Sequence, residues 1–214
     1  MTNAALVAKL EKAKEGSRMK LGQVEYLGLR RQITVLGYGD DIKWAETVSE
    51  PECATDFAKE AIWVILNSGM KNSVAQGIAI KVYVALDTGQ SVTTVFGHKG
   101  KAAAIDYIWH ERHRLFREFL AAEDPIEFGA RLPWIGPITK YHLAKNLGAD
   151  VVKPDRHLKR IADAHGTDPT TLCQCLADAT GDRIGTVDYV LWRAAEQGLI
   201  DTRVLLKALE AGDG

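Results

Sequence analysis

Apolar residues recur at three- and four-residue spacing over 56–68, 73–86, 101–121, 137–147, 156–165, 169–179, 187–197 and 201–211. That is the period of helices with one buried face, and Gly, Pro, Asn or Asp breaks separate the stretches. Residues 1–15 alternate Ala, Leu, Lys and Glu, the pattern of a solvated amphipathic helix. Strand-like alternation is scarce. Its best candidate is Gln32–Leu36 and its second Val92–Phe96, runs so short that a loop reading serves each equally well. The pattern predicts an all-α fold with no internal repeat, low-complexity segment or long linker.

Composition then sets outer bounds. The chain has 214 residues, 46% hydrophobic and 26% charged, ordinary for a globular protein with one sizeable domain or two small lobes. No apolar run approaches a membrane span, and residues 1–15 carry no apolar signal core, so an intracellular, cytoplasmic protein is expected. Cys53, Cys173 and Cys175 are too few and too oddly spaced for a disulfide framework or a tetrahedral metal site. Neither a metal nor another cofactor is expected.

Charge changes the picture once it is placed along the chain. The net charge is only −1, but between 140 and 160 stand Lys140, Lys145, Lys153, Arg156, Lys159 and Arg160 against Asp150 and Asp155. A local basic footprint of this kind suits a phosphate backbone. A second cluster, His110, Arg112, His113, Arg114 and Arg117 with Glu111, fits a solvated helix face equally well.

The basic run overlaps the most informative stretch, Leu132-Pro-Trp-Ile-Gly-Pro-Ile-Thr139, followed by Lys153-Pro-Asp155-Arg-His-Leu. Gly136 can take the positive φ of a tight turn between helices, and Pro137 suits the first position of the next helix. The amides that follow, with the positive end of the helix dipole, make an anion site needing no base-specific side chain. Asp155 precedes a helical pattern, where an Asp is also a good N-cap.

These residues resemble the helix-hairpin-helix DNA glycosylases, the superfamily of endonuclease III and 3-methyladenine glycosylase II. Leu132, Pro133, Ile135, Gly136, Thr139 and Asp155 match the family's hairpin and its following aspartate in order and nearly in spacing, while Trp134 replaces the usual first glycine. Ala61–Ala75 looks like the family's helix and loop that enter the minor groove, and Gly97–Ile105 like the segment before the hairpin, so the resemblance covers roughly 50–200. It implies one glycosylase domain over 1–214, with a central helical lobe at about 30–130, a second lobe from about 1–29 plus 131–214, and an active cleft between them. The four-cysteine iron–sulfur signature of many relatives is missing.

The implied function is base excision repair of duplex DNA by a monomer with no membrane partner. The enzyme flips a damaged or modified base out of the stack and hydrolyses its glycosidic bond. Breaking that bond leaves positive charge on the sugar, so a carboxylate held near C1′ stabilises it and orients water; Asp155 is the candidate. Gly136, Ile138, Thr139, Lys140, Lys145 and Lys153 are the expected backbone contacts. One of Met70, Lys71 or Asn72 fills the hole left by the flipped base. Among Trp44, Trp63, Trp109, Trp134 and Trp192, Trp134 is the candidate wall of the base pocket.

Strand-cutting relatives carry a lysine two residues after the hairpin glycine, where this chain has Ile138, so base removal without lyase chemistry is expected. Lys140, about 200° further round a helix, points elsewhere. Lyase chemistry from Lys140 or Lys153 is one alternative, and a non-catalytic binder of DNA structure another. A carboxylate beside bound phosphates argues against the binder, and the local positive charge argues against a helical scaffold for other proteins.

Overall fold

The computed structural model describes residues 21–202; the helical patterns expected at 1–15 and over most of 201–211 lie outside them. The described chain is all-α, with no residue in a strand. It divides into two compact units, one of residues 47–153 and one that joins the chain before 47 to the chain after 153.

In the 47–153 unit, α3 (Ala54–Asn67) is the axis. Phe57, Ala58, Ala61, Ile62, Val64, Ile65 and Leu66 are all fully buried, so this helix is apolar around most of its circumference. Around it stand α4 (Asn72–Asp87), α5 (Lys99–His110), α6 (Arg112–Leu120), α7 (Pro125–Ala130) and α8 (Thr139–Asn146). Phe57, Phe119 and Phe128 close one end with ring centroids 5.6–5.9 Å apart. Asn146 donates to half-buried Glu60 at 2.9 Å, and desolvation holds that carboxyl above its usual range. Tyr83, desolvated beside Glu60, is pushed up to about 12.

The other unit holds α1 (Gln23–Ile33), a π-helical turn (Thr34–Tyr38), α2 (Gly39–Thr47), α9 (Arg156–Ala164), α10 (Pro169–Thr180) and α11 (Ile184–Glu196). Polar bonds join its two chain segments. Tyr26 donates to Asp182 at 2.6 Å, Arg30, which also pairs with Glu46 in its own segment, pairs with Asp182, and Tyr189 donates to Asp41 at 2.6 Å. The Arg193 guanidinium lies over the rings of Tyr38 and Trp192, 4.2 and 4.6 Å from their centroids.

The boundaries differ from the expected 30 and 130. Leu132, Ile135, Leu143 and Leu147 belong to the same core as Phe57 and Leu66, which draws 131–153 into the central unit. Arg30 and Asp41 bond to Asp182 and Tyr189, which draws 30–46 out of it. The two strand candidates are also corrected. Gln32–Leu36 ends α1 and begins the π-helical turn, and Val92–Thr94 is a single 3₁₀ turn. Ile33 is buried while Val35 is 82% and Leu36 51% exposed, so the β-branched run has one inward position where a half-buried strand needs alternation. The expected helix 101–121 breaks at Glu111 into α5 and α6.

Candidate nucleic-acid interface and catalytic carboxylate

The turn between α7 and α8 is built from the residues singled out by sequence. Asp124 caps α7 by accepting from the amides of Ile126 and Glu127, and Pro125 starts the helix. After α7, the Leu132 amide donates to Gly129 O at 3.0 Å and the Ile135 amide to Leu132 O at 3.3 Å. Gly136 donates its amide to Thr139 Oγ1 at 2.7 Å, Thr139 Oγ1 donates back to Gly136 O at 3.3 Å, and Lys140 donates to the same carbonyl at 3.0 Å. The hydroxyl of Thr139 thus locks the entry to α8 and occupies the Gly136 amide. The amide of Thr139, the first residue of α8, has no acceptor four residues back within the helix.

The positive φ expected of Gly136 falls elsewhere. Trp134 takes it, at φ 66°, the one non-glycine residue in that region among the described residues. A left-handed backbone costs a bulky residue about 1–2 kcal/mol, so side-chain packing must hold it. The indole lies over Gly100, where an added Cβ would stand 2.5 Å from Cζ3, and meets the His98 ring edge-on at 5.1 Å. The turn is left-handed at the position where the resembling family has its first glycine, and Trp134 is anchored there by a glycine on α5.

The start of α5 also reaches the loop before α4. Lys101 is buried, and its ammonium donates to Ser68 O at 2.6 Å and Leu66 O at 3.2 Å, capping the end of α3. Burial lowers the pKa of that amine. His98 caps α5 by accepting from the Lys101 amide at 3.3 Å. One helical turn, 98–101, therefore braces both the 68–71 loop and the Trp134 turn. In that loop Gly69 is left-handed at φ 68°, Met70 packs against the core, Lys71 is exposed at the N-cap of α4, and Asn72 is half-buried with its Oδ1 unpartnered. Of the three wedge candidates, Lys71 has the freest side chain.

The expected backbone contacts sort by exposure. Ile138 is exposed and Thr139 half-buried. Lys140 is tied to Glu127 at 2.8 Å, and that bond raises its pKa. Lys145 is buried at 8% exposure, against the expectation of a surface cation, because the end of α8, from Leu143 to Leu147, is buried on every side. Lys153 is half-buried. His142 is desolvated beside Lys153 and Lys145 and so titrates well below the usual histidine range. Arg114 bonds Glu111, the N-cap of α6, and Glu118 within it, as a solvated helix face would have it. Sequence reasoning gave no role to Gly100 or buried Lys101, because the helical pattern it read starts at 101 and leaves the glycine outside.

Asp155 belongs to the other unit. It is the N-cap of α9, half-buried, and its Oδ1 accepts from the amides of His157 at 2.8 Å and Leu158 at 3.2 Å. Both bonds use one oxygen, so the cap leaves Oδ2 out. On α9, the end of α11 and the chain after it, Arg156, His157, Arg160, Glu196 and Thr202 line a hollow of about 600 Å³. Burial lowers the His157 pKa, with Asp155 opposing. No described group of three or more His, Cys, Asp or Glu could hold a metal ion, and no described helix is long and apolar enough to cross a membrane. Comparison with protein-family models, curated proteins and solved structures finds no match to this chain.

Proposed function

We propose that this protein is a DNA glycosylase that excises a damaged or modified base from duplex DNA. The observation that carries the reading is the turn at 132–139, whose backbone is left-handed at residue 134 and whose Thr139 hydroxyl locks the first turn of α8. A helix start held this way presents its amides to one phosphate without reading sequence. Asp155 is the carboxylate that stabilises the sugar cation and orients water, and Lys71 is the wedge. The chemistry stops at base removal, since Ile138 carries no amine and Lys140 is paired with Glu127.

The test is incubation with duplexes carrying an oxidised purine, an alkylated purine, or a deaminated or mismatched pyrimidine. Free base is expected from at least one of them, with strand breaks only after hot alkali and no adduct trapped by borohydride. An adduct lost in Lys153→Ala or Lys140→Ala would make the enzyme a lyase as well. Binding to every duplex with release from none would favour a non-catalytic binder.

A further inference from the structure

Beside the Trp134 turn, within the 47–153 unit, the surface dips into an open hollow of about 460 Å³. Gly100, Ala103 and Tyr107 come from one face of α5, spaced three and four apart, and Arg131, Pro133 and Trp134 from the turn. Two large rings stand exposed there, Tyr107 at 43% and Trp134 at 47%. Exposed rings of this size are normally free to swing, but both are held. The indole is seated on Gly100 and against His98, and the Tyr107 hydroxyl accepts from Arg114 at 2.8 Å. Among the described residues, the one charge on the lining is the exposed cation Arg131, stacked over Phe128 with 5.4 Å from its guanidinium carbon to the ring centroid.

We propose that this hollow is a stacking subsite for an unpaired nucleobase. Fixed aromatic faces suit a flat ring of any sequence, the small residues of α5 leave room for it, and Arg131 adds attraction for the attached phosphate. An acid-free lining with a cation at its rim selects a polyanion over a neutral aromatic side chain. The site rests on the glycosylase reading only for the choice of DNA as ligand. It gives the strained Trp134 a role that an unstrained glycine could not fill: the ring is placed for contact.

The test uses the full chain and two single-stranded probes, a deoxyadenosine dodecamer and a dodecamer of abasic sugar phosphates. The base-bearing strand is expected to bind about tenfold tighter, as one base–aromatic stack provides. That advantage should largely vanish in Trp134→Leu, and also in Ala103→Leu, which fills the hollow from an exposed helical position without touching the turn. Equal binding of the two strands by the unaltered protein overturns the proposal, as does an undiminished advantage in Ala103→Leu. Base release from lesion duplexes is scored separately. A protein that releases no base yet shows the advantage loses the glycosylase reading and keeps this site.

Discussion

Asp155 and Asp168 start successive helices in one unit and look alike in sequence, yet they spend their oxygens differently. Asp168 Oδ1 accepts from the amides of Thr170 and Thr171 at 2.9 and 3.0 Å, and its Oδ2 accepts from the Thr171 hydroxyl at 2.6 Å. Both oxygens serve the helix, and Pro169 completes the start. Asp155 makes the same two amide bonds with Oδ1 alone and is followed by Arg156. A cap needs one oxygen. The second oxygen of Asp155 is the one that capping does not use, which is why capping and catalysis are compatible in a single residue.

The comparison can be broken by deleting each carboxylate. Asp155→Ala removes the cap and, on the proposed reading, the catalyst as well: base release should fall at least about 10²-fold, about 2.7 kcal/mol of barrier, and folding stability by about 1 kcal/mol. Fluorescence-monitored urea unfolding and single-turnover excision read the two losses apart. Lys145 and Lys159 draw the same contrast between structure and function among the cations. Lys145→Glu buries a wrong charge against the core and should cost about 3 kcal/mol, visible as a lower unfolding midpoint. Lys159, exposed and paired with Asp163, should fold normally as Lys159→Glu and lose affinity for all duplexes alike. If it contacts a phosphate, the salt dependence of binding should flatten by about 0.9 in log–log slope.

Asp168→Ala should lower Tm by a few degrees and leave base release unchanged. Its pH dependence has a definite sign. The Thr171 hydroxyl, and then the backbone amides, hold the Asp168 carboxyl below its usual range. The contribution is therefore fully present above the ordinary carboxylate pKa and is lost as pH falls through the lowered folded value. Tm curves of the unaltered protein and Asp168→Ala should converge only in strong acid; a gap persisting unchanged to low pH would mean the aspartate acts through packing.

Much of this was legible because it is local. The period of Ala54–Asn67 and Asn72–Asp87, the helical pattern from 169 to 179, and the Asp cap at 155 each follow from residues within one turn of each other. What failed needed distant partners. Gln32–Leu36 has strand-like side chains, but Ile33 is drawn into a helical core and Gly37 turns the chain at φ 96°. The positive φ was assigned to the glycine at hand, Gly136, when a surface 34 residues upstream, at Gly100, decides that Trp134 can hold it. Lys145 reads as a surface cation until the end of α8 is known to be buried all round. Lys101 reads likewise as one more lysine, and only the fold sets its amine against the carbonyls of Leu66 and Ser68.

The most direct measurement is single-turnover base release by Asp155→Asn on whichever lesion duplex the unaltered protein cleaves, with duplex affinity measured on the same samples. Asn keeps an oxygen for the His157 and Leu158 amides, so the fold and DNA binding should survive. The account predicts affinity within about twofold of the unaltered protein and release slowed at least about 10²-fold. Release at the unaltered rate would contradict it and leave Asp155, like Asp168, a helix cap.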